Sequence, residues 1–174
     1  MIKGGKGGAN TLTGLSFEKR TDLREIFSNL QYYSIDGEKL LYKNKLVAKF
    51  FKKYELYKNL LKELKIDWKN KISKKLLPDE TLFVLSNNTL FIIEMKFQEV
   101  AGSVDEKLQT CDFKKKQYLK LFEGIDIKIE YCYVLNDWFK KPEYQDVLDY
   151  ISSVDCKYFF GILPFSYLGL PEGN

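Results

Sequence analysis

The sequence predicts an α/β fold, a mixed central β-sheet flanked by helices, with the core order helix, three strands, helix, strand (αβββαβ). Two apolar runs, 81–85 and 90–97, flank an Asn-Asn pair suited to a tight turn. A capped helical stretch follows, and strand-like and helical patterns then alternate towards the C-terminus. An apolar fraction of 45% is that of a chain with a substantial core.

The elements follow in order. Residues 1–13 (MIKGGKGGANTLT) read as a flexible lead-in. A helix is expected over Leu15–Leu30, then a hairpin of Gln31–Ile35 and Lys39–Tyr42 around Asp36-Gly37. Over Leu46–Leu64, Phe50, Tyr54, Tyr57, Leu61 and Leu64 recur at helical spacing, and the opposite face carries most of the lysines. Pro78 ends that pattern. Strands Thr81–Leu85 and Leu90–Phe97 are joined by Asn87-Asn88, because asparagine tolerates the positive φ of a hairpin turn. Ser103-Val104-Asp105-Glu106 is a capping box that opens a helix running to about Phe122. Strand Ile127–Leu135, helix Glu143–Ile151 and strand Tyr158–Ile162 complete the order.

The length of 174 residues suits one domain spanning 1–174. No apolar run reaches the ~18 residues of a membrane span, and the basic N-terminus lacks an apolar h-region. Both features predict a cytoplasmic protein with no membrane partner. Three cysteines, widely spaced and without a CxxC pair, read as reduced, half-buried thiols. The chain contains no histidine, which excludes Ser-His-Asp hydrolysis, HExxH zinc sites and histidine general bases. Carboxylate, lysine and metal chemistry remain.

A net charge of +4 conceals a strong asymmetry. Lys39–Lys75 holds 13 lysines against three acids, whereas Leu121 to the end holds four lysines against nine acids. A basic half suits a polyanion such as nucleic acid, and it equally suits lysine-coated, solvated helices.

With Asn87-Asn88 as a two-residue loop, Lys96 falls opposite Asp79 and Glu94 opposite Thr81. Alternate residues share a strand face, and opposed residues share it too, with Cβ atoms about 5 Å apart. Asp79, Glu94 and Lys96 are therefore expected to converge. Along 90–98 the odd positions are all apolar, while the even positions pass from Leu90 and Ile92 to Glu94, Lys96 and Gln98. A strand that turns polar midway on one side is emerging from cover into a cleft. Two carboxylates there invite Mg2+, which takes carboxylate oxygens, keeps several waters and completes its shell with substrate phosphate. Lys96 could orient or help deprotonate a bound water. The competing interpretation is an exposed Glu94–Lys96 pair beside a simple Pro78-Asp79 turn.

Pro78-Asp79, fourteen residues, then Glu94-Met95-Lys96 resembles the motif of the PD-(D/E)XK nucleases. The segments GGANTLTGLSFE and KFQEVAGSVDEKLQT resemble those of small type II restriction endonucleases. The resemblance covers most of the chain and implies a restriction-endonuclease-like core. It implies Mg2+-dependent hydrolysis of double-stranded DNA at a short specific sequence, leaving 5′-phosphate ends. By resemblance, Asp79, Glu94 and the Met95 carbonyl would hold the metal, Lys96 would act on the attacking water, and Glu18 of the first helix would stand near the site. A homodimer and a cognate DNA methyltransferase as genetic partner follow from the same resemblance. A structure-selective repair or recombination endonuclease, or a non-catalytic basic DNA-binding module, are the alternatives.

Some residues carry two interpretations. Glu18, two residues past a capping Ser16, could serve the helix dipole alone. Gln98 and Lys107 are candidate DNA contacts, the latter in the first turn of its helix, and otherwise a solvated glutamine and lysine. Lys114, Lys115 and Lys116 read as a solvated basic run.

Overall fold

A computed structural model describes residues 14–17, 22–99 and 104–172. The lead-in, Glu18 and the Ser103 cap lie outside the described residues.

A seven-stranded mixed sheet organises the chain, in the order β2 (Tyr33–Asp36), β3 (Lys39–Tyr42), β4 (Lys45–Phe51), β5 (Glu80–Val84), β6 (Thr89–Lys96), β7 (Lys128–Leu135) and β8 (Lys157–Phe160). Neighbours from β2 to β6 are antiparallel, and β6, β7 and β8 run parallel. The parallel pair needs a crossover, which α3 (Val104–Leu108) and α4 (Cys111–Leu121) supply. The next crossover contains α5 (Gln145–Ser153). Among the described residues no helix is long and apolar enough to cross a membrane.

Side chains of β6 alternate into two cores. Leu90 and Ile92 join the layer containing α4, α5 and the helical segment 56–63, while Phe91, Ile93 and Met95 join the layer under α1 (Leu23–Ser28) and α6 (Phe165–Leu168). Burial on both faces explains why 90–97 reads as a near-continuous apolar run.

The first expected helix, Leu15–Leu30, is corrected to a strand and a shorter helix. Gly14–Ser16 forms β1, antiparallel to β9 (Ile162–Pro164), and buries Leu15 with Phe17 two residues on. The helix starts only at Leu23, where the Asp22 carboxylate caps the Arg24 N–H at 2.8 Å. The expected helix Leu46–Leu64 also divides. Its first part is β4, paired on both edges, with Phe50 and Phe51 buried on opposite faces. Only Leu56–Leu60, a π-helical turn, and α2 (Leu61–Glu63) are helical. The helix expected over 104–122 breaks after Leu108, because the Thr110 hydroxyl and N–H both donate to the Lys107 carbonyl.

Two further connections differ in detail. Gly161, at φ +64, separates β8 from β9, where one strand to Ile162 was expected. The β5–β6 loop has four residues, Leu85–Asn88, since Val84 pairs with Thr89. Ser86 and Asn87 hold it open by donating to the carbonyls of Gly169 and Leu168. All three cysteines are free and fully buried.

Candidate active site

The wider loop displaces the hairpin pairing by two residues: Thr81 faces Ile92 and Glu80 faces Ile93. Continuing that register, Asp79 falls opposite Glu94 and not Lys96. An even displacement preserves which face each side chain takes, so the expected convergence survives it.

Asp79 occupies a bend just before β5, after buried Pro78. Its Oδ2 accepts the Met95 N–H at 3.4 Å and lies 3.5 Å from Lys96 Nζ. Lys96 Nζ donates to Glu94 Oε2 at 2.9 Å. One ammonium therefore serves both carboxylates. The N–H and C=O of a strand residue point to the same edge. The Met95 carbonyl is thus turned towards Asp79, beyond the last ladder pair of β5.

Glu94 is only 5% exposed, and its surroundings are unusual for a carboxylate. Tyr133 is its partner across the parallel β6–β7 pair. Tyr118, Tyr131 and Tyr133 are all buried, and burial holds their phenols well above the usual range, with the Glu94 charge adding to it. A second cation completes the site: Lys114 Nζ of α4 lies 3.3 Å from Glu94 Oε2. Two carboxylates and two ammonium groups meet at the ends of β5 and β6, charge-balanced without a third ion.

Lys114 is the residue that sequence reasoning passed over as part of a solvated run. The face that α4 buries is Cys111, Lys115, Tyr118 and Leu121, and half-buried Lys114 lies at its edge, three residues after Cys111 and four before Tyr118, a spacing that Lys115 shares in reverse and that therefore did not single Lys114 out. Its neighbours in the run go elsewhere, Lys115 to Asp155 at 2.7 Å and Lys116 to Asp112 at 2.8 Å.

The remaining expected residues are placed variously. Gln98 is buried, not presented on a surface, and its backbone is clamped by the Asn136 amide, which accepts from Gln98 N at 3.2 Å and donates to Gln98 O at 2.7 Å. Lys107 is the fourth residue of the five-residue α3, whose first and last turns overlap; it is exposed, and its carbonyl accepts from Tyr133 at 3.3 Å. Glu18 lies outside the described residues.

The opposite sheet face carries a separate polar cluster. Glu80 is 1% exposed, and Lys52 Nζ stands 3.1 Å from it and 2.9 Å from Asp22. Burial pushes the Glu80 carboxyl up to about 7 and the Asp22 charge adds to it, against the opposing pull of the Lys52 ammonium.

Among the described residues no three acidic, cysteine or histidine side chains group around a common metal position. Two carboxylates already gather round one cationic nitrogen, and a main-chain carbonyl faces the same edge. Hard oxygen donors of this kind suit Mg2+, which fills the rest of its shell with water and phosphate. The residues fit such an ion. Comparison with protein-family models, curated proteins and solved structures finds no match.

Proposed function

We propose that this chain is a Mg2+-dependent endonuclease of the PD-(D/E)XK type that hydrolyses phosphodiester bonds of double-stranded DNA. The observation that carries the proposal is the meeting of Asp79, Glu94 and Lys96 where β5 and β6 emerge from the sheet. The topology is compatible with a restriction-endonuclease-like core: an antiparallel hairpin bearing the site, a helical crossover, and a strand parallel to the second hairpin strand.

Asp79 and Glu94 would hold the ion from facing strands, with the Met95 carbonyl as third protein donor. When bound, Mg2+ lowers the pKa of a water and neutralises charge building on the scissile phosphate. Glu94 would then exchange its ammonium partners for the metal. Lys96, released from Glu94, would orient the attacking water and shield the developing charge as an ammonium, and would take the water's proton only after giving up one of its own to solvent. The closed aromatic wall of Tyr118, Tyr131 and Tyr133 keeps bulk water from the rear of Glu94, which strengthens every charge interaction in front of it.

The specific form we propose is a cytoplasmic type II restriction endonuclease that reads a short palindrome as a two-fold homodimer, with a cognate DNA methyltransferase as genetic partner. Plasmid digestion in Mg2+ tests it. Discrete fragments with 5′-phosphate ends support restriction. Nicking confined to branched or damaged DNA supports the structure-selective alternative on the same site.

A further inference from the structure

We infer that the exposed side of the helical segment 56–63 is a docking surface for the DNA backbone, and that it carries the duplex away from the cleft. The inference deepens the nuclease proposal and rests on it for the choice of duplex DNA over other polyanions.

The surface starts from a one-sided helix. Leu56, Tyr57, Leu60 and Leu61 are buried in the core, Lys58 and Lys62 are exposed on the segment itself, and Lys65 is exposed in the turn that follows it, at φ +56. Three cations thus follow one another along the segment and its C-terminal turn, facing a polymer that carries a phosphate every few ångströms. The acids nearby are already engaged. Glu55 pairs with Arg24 at 2.9 Å, Glu63 with Lys49 at 2.9 Å, and Asp67 caps the Lys69 N–H at 3.1 Å and accepts from Asn70 at 3.1 Å. Among the described residues Lys53, Lys58, Lys62 and Lys65 have no ion-pair partner. Uncompensated cations on a rigid support suit a polymer of regularly spaced negative charge.

The support is fastened to the segment that leads into Asp79. The Tyr57 hydroxyl donates to the Leu76 carbonyl and accepts the Leu76 N–H, both at 2.9 Å. The Lys75 ammonium lies over the Tyr54, Tyr57 and Trp68 rings at 4.9 to 5.7 Å from their centroids. Lys53, exposed and held at φ +49, donates its N–H to the Pro78 carbonyl at 3.1 Å. Lys53 therefore ties the chain that leads into the lysine row to the residue before Asp79.

Fluorescence anisotropy of a 30-base-pair duplex, titrated across salt with Ca2+ in place of Mg2+, tests the surface. The triple substitution Lys58→Gln, Lys62→Gln and Lys65→Gln keeps the side-chain stems and removes three charges. It should make the log–log salt slope shallower by about 2 to 3 and weaken binding at least about tenfold at 0.1 M salt. Equal melting temperatures of variant and parent certify the comparison, and a Lys→Ala triple variant provides a second set. An unchanged slope overturns the inference. So does loss of binding to phosphatidylserine vesicles with duplex binding retained, which would make the surface a lipid site. Plasmid cleavage by the parent with an unchanged slope leaves the nuclease proposal standing without this surface. A shallower slope with no cleavage by the parent leaves the surface standing without the nuclease.

Discussion

Asp79 Oδ2 accepts the backbone N–H of Met95 at 3.4 Å, so a carboxylate continues the β5–β6 ladder just where the β5 backbone leaves it. The same oxygen lies 3.5 Å from Lys96 Nζ. One group therefore closes the hairpin end and reaches the Lys96 ammonium, and its two roles separate by substitution.

Asp79→Asn preserves an acceptor for Met95 and loses the charge; Asp79→Ala loses both. Cleavage should vanish in both variants. Only Asp79→Ala should also destabilise the fold, by about 1 kcal/mol for the unmade hydrogen bond. Thermal melting of the two variants beside the parent checks the difference.

Lys114 and Lys96 both hold Glu94 Oε2. A divalent ion at Glu94 must compete with them, so Lys114→Met should tighten Mn2+ binding by about three- to tenfold, as read by calorimetry, given that tenfold is about 1.4 kcal/mol. Lys96→Met should tighten binding as well, yet lower cleavage by about 100-fold or more through loss of its role at the water. Equal metal affinity in parent and variants would show that the lysines do not share the metal's position.

Glu80 contributes to the pH dependence of stability. Its carboxyl titrates near 7 in the folded chain against an ordinary 4.5. Between those values the folded state holds a proton that the unfolded state has released. Stability therefore falls as pH rises through that window, by up to about 1.4 kcal/mol per pH unit from this group. Glu80→Gln should flatten that part of the profile in denaturant titrations at pH 5, 6 and 7. An unaltered profile would place the titration elsewhere.

The resemblance assigns Glu18 to the site, and the helix-dipole alternative falls because Ser16 belongs to β1 and the helix starts only at Leu23. Glu18→Gln should slow cleavage at least about tenfold with an unchanged melting temperature if the carboxylate contacts the reaction. A melting shift with full cleavage would assign it to the fold.

Much of this arrangement was legible in the sequence because β6 is long, apolar on one side and abruptly polar on the other at Glu94. That pattern sets the strand, its two faces and the site end whatever the loop does. The pairing partner was not legible, since Ser86 and Asn87 are held by carbonyls over eighty residues distant. β4 was hidden for a different reason: exposed Lys45 and Leu46 at its start and adjacent buried Phe50 and Phe51 at its end break the alternation, and Phe50, Tyr54 and Tyr57 mimicked a helical stripe. Lys114 was obscured by two neighbouring lysines whose partners, Asp155 and Asp112, have nothing to do with the site.

The most direct measurement is cleavage of supercoiled plasmid by the purified chain in Mg2+, beside Asp79→Ala and Glu94→Ala and with a chelator control. The parent should convert the plasmid to fragments with 5′-phosphate ends, and both variants and the chelated sample should leave it intact. A parent that leaves DNA whole, or an Asp79→Ala or Glu94→Ala variant that cuts at the parent's rate, would contradict a site built on these carboxylates.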